Sequence, residues 1–418
     1  MRVGEWRTVS LADLCDDVQY GVTASASAGL PNGPLLLRIT DIVPPRIDWS
    51  AVPACDVPDE KIGKFELRDG DIVVARTGAT VGYAKHVKRP PARAVFASYL
   101  VRFRVGDAAD PAYIGHVVQS VTYKDYVAAH AGGAAQPNAN AKVLGGFPVP
   151  LPDKQTQSRI AAVLSAFDEL IEINERRIEL LEDLARSLYR EWFVHFRFPG
   201  HEDVELIDSE LGPIPEGWTV ARLGHFADVV VEGVDPSELE PTSRYVGLEH
   251  LPRRRTTLRE WGSVESVSSR KLLFSRGDTL FGKIRPYFHK VAWAPSTGAT
   301  SSDTIVLRAH TDCALTAFVN TVASSDQLIA EAVATSNGTK MPRADPKALL
   351  AYRFPLPDED LLLELEYTTR RWLEWCAELV QHNHQLAATR DLLLPRLVTG
   401  RLDISDIDLG VLTPLEAV

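Results

Sequence analysis

Two segments of the chain, 153–198 and 357–400, repeat apolar residues at steps of three and four. This spacing is typical of a long amphipathic helix and persists for about four to five heptads in each segment. The first seam contains Ile160, Val163, Phe167, Leu170, Asn174, Ile178, Leu181, Ala185, Leu188 and Trp192. The second contains Leu365, Thr368, Trp372, Trp375, Leu379, Asn383, Leu386, Thr389, Leu393 and Leu397. Because neither helix can bury its stripe alone, we expect the two to pair as an antiparallel coiled coil.

One asparagine interrupts each seam, Asn174 in the first and Asn383 in the second. A polar residue in a seam commonly fixes the register of a coiled coil at some cost in stability. The other interpretation is that each amide tips outward into solvent. Both interpretations stay open from the sequence.

The segments before the two helices, 1–152 and 218–356, resemble each other. Their matching stretches are WRTV at 6–9 and WTV at 218–220, LRDGDI at 67–72 and FSRGDT at 274–279, GYAKHV at 82–87 and YFHKV at 287–291, and PLPD at 150–153 and 355–358. The offset between matched positions shrinks slightly along the chain. Such drift is expected of a duplicated domain with a few loop insertions, so we interpret the chain as two repeats.

Short runs of strand-forming residues occur in both repeats and are punctuated by Gly and Pro, which predicts an α+β fold with small mixed sheets. These runs are Leu35–Ile39, Ile72–Ala75, Tyr99–Val105, Thr279–Phe281 and Thr304–Leu307. The predicted domains are a globular domain at 1–152, a long helix at 153–198, a linker at 199–217, a second globular domain at 218–356, a second long helix at 357–400 and a tail at 401–418.

Composition is that of an ordinary globular protein, with 45% hydrophobic and 24% charged residues and no apolar run long enough for a membrane span. The first residues lack the apolar core of a signal peptide, and four dispersed cysteines form no CxxC pair. We therefore expect a reduced, cytoplasmic protein without a metal site. The net charge of −11 counts against a nucleic-acid partner, although acid is concentrated at 351–418, where 12 Asp+Glu face 6 Lys+Arg.

Motifs of catalysis are missing from the sequence. No GxGxxG follows a strand, and GxxxxGK[ST], HExxH and GxSxG do not occur. The tetrapeptide Asn-Pro-Pro-aromatic of adenine methyltransferases is missing as well. We therefore expect neither a catalytic site nor a bound cofactor in this chain.

Two loops recur at matched places in the repeats. One follows the strand after Gly70-Asp71 or Gly277-Asp278, pairs that we interpret as tight turns; the other lies at 132–138 and 337–343. Arg and Lys suit guanine edges and phosphates, and Asn and Gln suit adenine edges. The alternatives are solvated loops and a hinge into the long helix. Candidate nucleic-acid contacts on these and neighbouring segments are Arg38, Arg76, Thr77, Gly78, Lys85, Gln136, Asn138, Arg253, Lys283, Arg285, Tyr287, Lys340 and Arg343.

The order of these features resembles the specificity subunits of type I restriction-modification systems over nearly the whole chain. The stretches that carry the resemblance are LRDGDIVVARTGATVG at 67–82, FPVPLPDKQTQSRIAAVL at 147–164, WFVHFRFPG at 192–200, LGPIPEGW at 211–218, GDTLFGKIRPYFHKV at 277–291 and LLLPRLVTGRL at 392–402. No single stretch is diagnostic. Their order, spacing and duplication together are specific.

The resemblance implies that each globular repeat is a target recognition domain that reads one part of a bipartite double-stranded DNA sequence. The helices would set the gap and dock two methylation subunits that bring S-adenosylmethionine, and a restriction subunit that hydrolyses ATP could join. The chain itself would be non-catalytic. Candidate coiled-coil and partner residues are Phe167, Asn174, Ile178, Leu181, Trp192, Trp372, Leu379, Asn383, Leu386 and Leu397.

The chain departs from this pattern at the start of the second helix, which lacks the glutamine that Gln155 or Gln157 supplies in the first. We therefore expect the second docking surface to differ. No function is predicted for the acidic tail. Two rival interpretations are a scaffold of two adaptor domains on a coiled-coil spacer without nucleic acid, and a specificity module of a different modification system.

Overall fold

The computed structural model describes residues 6–27, 30, 33–44, 46–132, 137–311, 314–338 and 340–404. The chain divides into two compact units. Unit 1 comprises Met1–Ile173 and Asn383–Val418, and unit 2 comprises Asn174–His382. Each unit thus contains one sequence repeat together with a part of each long helix.

Unit 1 is built on a four-stranded antiparallel sheet. The strands of unit 1 as a whole are β1 (Arg7–Ser10), β2 (Cys15–Tyr20), β3 (Ala26–Ser27), β4 (Leu36–Leu37), β5 (Ala54–Cys55), β6 (Ile72–Ala75), β7 (Ala84–His86), β8 (Val95–Phe96), β9 (Leu100–Val105) and β10 (Pro148–Leu151). Its helices are α1 (Ile39–Ile42), α2 (Asp59–Phe65), α3 (Pro111–Gln119), α4 (Val121–His130), α5 (Ala141–Gly145) and the first part of α6 (Lys154–Tyr189). The main sheet has the order β2-β9-β6-β7. Because β6 is buried on both faces, Ile72 and Val74 enter one core and Val73 and Ala75 the other.

Unit 2 repeats this plan. Its strands are β11 (Leu206–Ile207), β12 (Ile214–Pro215), β13 (Thr219–Arg222), β14 (Ala227–Val230), β15 (Gly233–Val234), β16 (Arg244–Val246), β17 (Gly262–Ser263), β18 (Lys271–Phe274), β19 (Thr279–Gly282), β20 (Val291–Trp293), β21 (Gly298–Thr300), β22 (Thr304–Ala309) and β23 (Arg353–Leu356). Its helices are α7 (Thr316–Ala323), α8 (Asp326–Ala334), α9 (Pro346–Ala351) and most of α10 (Glu359–Val398). The sheet order β14-β22-β19-β20 matches that of unit 1 element by element. The two units therefore share a four-stranded sheet of the same strand order.

Both repeats close in the same way. The first strand of each pairs antiparallel with the strand that precedes the long helix, β1 with β10 and β13 with β23. The Asp of each PLPD stretch then begins the helix, because Asp153 accepts from the amide of Thr156 at 2.8 Å and Asp358 from that of Leu361 at 2.9 Å. The predicted long helices are confirmed, with α6 continuing as a π-helical turn at Arg190–Val194.

The Gly-Asp pairs are tight turns, as the sequence predicts. Gly70 and Gly277 have φ values of +87° and +91°. The Asp that follows each Gly is buried and receives two hydrogen bonds from an arginine of the central strand, Asp71 from Arg104 at 2.8 Å and Asp278 from Arg308 at 2.7–2.9 Å. These carboxylates therefore have a structural role in the sheet.

The buried stripe of each long helix differs in part from the predicted seam. Leu170 is 49% exposed and Trp375 is 46% exposed, and the buried neighbours are Ile171 and Cys376. Both segments carry apolar residues in adjacent rows, so steps of three and four fit either row, and only packing selects one. Of the candidate coiled-coil and partner residues, Asn174, Ile178, Trp192, Asn383 and Leu397 are buried, and Phe167, Leu181, Trp372, Leu379 and Leu386 are partly exposed.

Trp192 does not belong to the predicted seam between the helices. It lies in the π-helical turn after α6 and packs into the core of the second repeat, a cluster that includes Tyr189, Phe193, Trp218 and Leu365. Leu397 likewise joins the core of the first repeat, with Leu394 and Leu164. Both residues therefore anchor a helix end to a globular repeat.

Within the described residues, no helix is long and apolar enough to cross a membrane. The same part of the chain contains no group of three His, Cys, Asp or Glu residues arranged to hold a metal ion. Cys313 and the residues of the tail after 404 lie outside the described residues.

Candidate nucleic-acid interface

In unit 1 the two recurring loops are joined by backbone hydrogen bonds. The amide of Gly78 donates to the carbonyl of Pro137 at 3.0 Å, and the amide of Ala139 donates to the carbonyl of Arg76 at 2.9 Å. Asn138 also exchanges two backbone bonds with Gly132, at 2.8 and 3.1 Å. The second loop is therefore closed on itself and fastened to the first.

In unit 2 the matched loops make the matched bonds. The amide of Arg285 donates to Pro342 at 2.7 Å, and the amide of Ala344 donates to Lys283 at 2.9 Å. Arg343 exchanges two backbone bonds with Asn337, at 2.9 and 3.0 Å. We call each of these arrangements the paired-loop frame, formed by 76–78 with 137–139 in unit 1 and by 283–285 with 342–344 in unit 2.

The paired-loop frame of unit 2 continues into a strained turn. Arg285 and His289 flank the 3-10 turn Pro286–Phe288, and both occupy the left-handed region, with φ of +51° and +52°. Arg254, whose amide donates to the carbonyl of His289 at 2.8 Å, has φ of +54°. Such conformations in residues with side chains are costly and cluster at functional sites. Burial lowers the pKa of His289, and its Nε2 lies 2.8 Å from the carbonyl oxygen of Ser324.

The side chains around this frame form a basic surface. Tyr287, Lys340 and Arg343 are exposed, and Lys283 and Arg285 are partly exposed. The guanidinium of Arg253 lies over the ring of Phe288 at 4.2 Å, and that of Arg285 lies 5.9 Å from the same ring. The structure therefore brings together all six candidates that the sequence places in the second repeat, which are Arg253, Lys283, Arg285, Tyr287, Lys340 and Arg343.

The frame of unit 1 presents fewer charges. Arg76 lies over the ring of Tyr20 at 4.8 Å and extends an amino group to within 3.5 Å of Asn138 Oδ1. Thr77 forms a backbone bridge with Asn138, and Gly78 has φ of +76°. The four candidates Arg76, Thr77, Gly78 and Asn138 thus lie together, and Gln136 lies outside the described residues.

Two predicted contacts, Arg38 and Lys85, are bonded to other groups of the protein. The guanidinium of Arg38 makes a two-pronged contact with Asp41, at 3.0 and 2.8 Å, which neutralises its charge at the start of α1. The ammonium of Lys85 donates to the carbonyl of Pro44 at 2.7 Å, and burial lowers its pKa from 10.5 to about 8. Because this ammonium is already bonded to the protein and its pKa is lowered, Lys85 is left out of the interface proposed below.

Sequence reasoning missed the aromatic partners of this surface. Phe288 stands beside Tyr287 with ring centroids 4.9 Å apart, and Tyr20 supports Arg76 from a strand distant in sequence. The only signal in the sequence is the adjacent aromatic pair 287–288.

Gln157, which the sequence places at the docking surface of the first long helix, is 1% exposed. Its side-chain oxygen accepts a hydrogen bond from the amide of Asp110 at 2.8 Å, so its role is internal.

Residues 56–183 match the family described as the type I restriction modification DNA specificity domain. The type I restriction enzyme MjaIX specificity subunit of Methanocaldococcus jannaschii is 33% identical over 117 residues, 28% of this chain and 27% of that protein. The putative type I restriction enzyme MjaX specificity subunit of the same organism is 27% identical over 228 residues, 53% of this chain and 52% of that protein. The chain thus spans 27% and 52% of the length of these two curated relatives.

The fold is similar to that of a solved protein. The Type-I restriction-modification system S subunit from M. genitalium superposes with a TM-score of 0.58 over 95% of this chain and 97% of that chain, at 14% sequence identity. At this identity the likeness concerns the fold. The sequence match shows that residues 56–183 are similar to the type I restriction modification DNA specificity domain, and the superposition shows that the chain shares the fold of a type I S subunit.

Proposed function

We propose that this protein is the DNA sequence-recognition subunit of a type I restriction-modification complex, with each globular repeat reading one part of a bipartite target. The observation that carries the proposal is the pair of paired-loop frames, which share their backbone bonds and differ in their side chains. Arg76 and Asn138 stand in one frame where Lys283 and Arg343 stand in the other. Equal frames with different polar groups suit two readers of two different half-sites.

The long helices set the gap between the half-sites in this proposal, by pairing as an antiparallel coiled coil. Contacts inside each unit support it. In unit 1, Arg390 of α10 lies 2.5 Å from Asp168 of α6. In unit 2, Ile178 of α6 forms a buried cluster with Cys376 and Val380 of α10. Each contact joins α6 to α10 inside one unit, which supports the proposed pairing of the two helices.

Methylation subunits dock on the helices and bring S-adenosylmethionine, and restriction subunits that hydrolyse ATP can join the complex. A groove of unit 2 supports a protein partner at the helices: it is lined by Leu180, Leu181, Trp375 and Leu379, of which Leu180 is 54% and Trp375 46% exposed. Exposed apolar groups so concentrated are typical of an interaction surface. The chain contributes recognition to this complex and no catalytic group.

The charge distribution fits shared binding to DNA. The net charge of −11 cannot steer the whole chain to a polyanion, yet the basic surface of unit 2 supplies local phosphate contacts. Partner subunits would supply the remaining positive surface. We therefore expect weak binding by the isolated chain and specific binding by the assembled complex.

The proposal is tested by mobility shift of DNA fragments carrying the target mapped by methylation sequencing of the host. We expect a salt-dependent shift with the chain and its methylation subunits together, and loss of the shift when either half-site is scrambled. The proposal would be contradicted if the mixture is active in methylation but its binding to DNA does not depend on the sequence. That result would favour the scaffold interpretation instead.

A further inference from the structure

A buried carboxylate of α6 holds the segment that carries Arg253. Glu182 is 5% exposed, and its Oε1 accepts hydrogen bonds from the amides of Thr256 and Thr257, both at 2.8 Å. Its Oε2 lies 3.3 Å from Nη2 of Arg259 and 3.7 Å from Nη1 of Arg255. Two amides and two guanidiniums thus converge on one side chain.

Neighbouring residues on the same face of α6 hold the same segment at other points. Glu175, two turns before Glu182, lies 2.7 Å from Arg259 Nη1. Arg186, one turn after it, donates to the carbonyl of Arg254 at 2.5 Å. Segment 254–259 is therefore fixed to the helix along about three turns, which is more than a single packing contact provides.

The held segment is joined directly to the paired-loop frame of unit 2. The amide of Arg254 donates to the carbonyl of His289 at 2.8 Å, at the end of the strained turn Pro286–Phe288. The guanidinium of Arg253 lies over Phe288 in that turn. The amide of Trp293 donates to the carbonyl of Thr256 at 2.9 Å and ties the segment to β20.

We infer that Glu182 is a positioning residue for DNA recognition by unit 2, which orients Arg253 and the turn 286–288 from the long helix. The inference rests on the proposed function. Helix α6 follows the first repeat in the chain, yet in unit 2 it holds the reading segment of the second repeat. Recognition by the second repeat is therefore coupled to the position of the first long helix. The helix proposed to fix the spacing between the half-sites also orients the residues of unit 2 that contact DNA.

The alternative is that the contacts of Glu182 stabilise unit 2 without influencing recognition. The two cases differ in their effect on the individual half-sites. A positioning role predicts a defect confined to the half-site of unit 2, and a general loss of stability predicts loss of active complex and equal decline at both half-sites.

The experiment uses the full chain assembled with its methylation subunits. Arg285→Gly first identifies the half-site of unit 2, as the one whose recognition it weakens. Glu182→Gln retains an acceptor for the two amides and removes the charge that pairs with Arg255 and Arg259. Glu191→Gln is the matched control, because it makes the same change of charge in the π-helical turn after α6, where Glu191 pairs with Arg197 at 3.3 Å.

We expect Glu182→Gln to lower the apparent affinity for the half-site of unit 2 by about tenfold, the effect of losing charge-assisted bonds at a buried site. Affinity changes are read from single-base variants of each half-site, and methylation rates report the same ranking. Glu191→Gln should leave both half-sites unchanged. Arg186→Ala, an exposed substitution that removes the bond to Arg254, should give a smaller defect at the same half-site and covers the case in which Glu182→Gln does not fold.

Equal loss at both half-sites, or no loss in Glu182→Gln and Arg186→Ala, would overturn the inference while leaving the proposed function intact. If the wild-type complex itself shows no dependence on sequence, the proposed function fails, and the inference fails with it. A relaxed gap between half-sites in Glu182→Gln would support the inference further, because the helix would then no longer fix the reader.

Discussion

The backbone amide of Arg285 donates a hydrogen bond to the carbonyl oxygen of Pro342 at 2.7 Å, although Arg285 is held at a left-handed φ of +51°. Its counterpart in unit 1 is Gly78, which adopts this conformation without steric cost. A residue with a side chain loses about 1–2 kcal/mol in this region. The strain keeps a guanidinium at a position where glycine would be more stable, which suits a functional side chain.

Arg285→Gly therefore separates recognition from folding. We expect thermal stability to be unchanged or slightly higher, because glycine relieves the left-handed strain. The binding free energy for one half-site should become less favourable by about 1–3 kcal/mol, the usual contribution of a good side-chain contact to a base. Differential scanning fluorimetry and mobility shifts with single half-site variants measure the two effects. Lys283→Ala should weaken the same half-site, and equal loss at both half-sites would contradict independent readers.

Gly78→Ala tests the frame of unit 1. A Cβ at Gly78 meets no atom within 4 Å, so the expected cost of about 1–2 kcal/mol arises from the backbone at φ of +76° alone. We expect a lower melting temperature and weaker recognition of the half-site that Arg285→Gly spares. The control is Gly63→Ala in α2, where a Cβ also meets nothing and φ is not positive. It should stabilise the protein by about 0.4–1 kcal/mol.

Lys85 predicts a dependence of stability on pH. Burial lowers its pKa from 10.5 to about 8 in the folded protein, so between these values the unfolded chain binds more protons. The contribution of Lys85 to the free energy of unfolding should therefore rise with pH across this window, by at most about 3 kcal/mol. Urea unfolding at pH 8 and pH 10 measures the difference between the wild type and Lys85→Met.

Lys88→Met, a change at an exposed position three residues along the same segment, is the control for Lys85. The wild type and Lys88→Met should gain the same stability between pH 8 and pH 10, and Lys85→Met should gain less. If all three proteins respond equally, Lys85 is charged in the folded state up to its ordinary pKa.

Shortening the helices tests the proposed spacer. Removal of one heptad from α6 and one from α10 shortens a helix pair by about 10 Å, which is the rise of about three base pairs of DNA. We expect both half-sites to remain unchanged and the gap between them to become about three base pairs shorter. Methylation sequencing of a library with randomised gaps measures it. A preferred gap equal to that of the wild type would exclude the helices as the determinant of spacing.

The repeat and the long helices could be predicted from sequence because each depends on local or periodic patterns. The Gly-Asp turns are an example, since glycine at positions 70 and 277 indicates a positive φ from the residue type alone. The buried row of α10 could not be predicted, because Trp375 and Cys376 both continue an apolar pattern and only the packed partner selects Cys376.

The candidate interface shows the same division. Both paired-loop frames were located because glycine and proline recur at matched positions, but their mutual hydrogen bonds depend on contacts about 60 residues apart in the chain. The bond of Lys85 to Pro44 and its lowered pKa could not be predicted, because residue type does not reveal local burial. The bonds of Glu182 to Thr256 and Thr257 carry no local signature, since any of the many acids on α6 could have filled that role.

The bonds that build each paired-loop frame run from main chain to main chain. Side-chain identity does not enter them, except through the conformations allowed at a few positions. Substitutions at Lys283, Lys340 or Arg343 therefore leave the main-chain hydrogen bonds of the frame intact and alter only the side chains that it exposes. Under the proposed function, single substitutions on this surface would change the bases that unit 2 prefers while its fold stays the same.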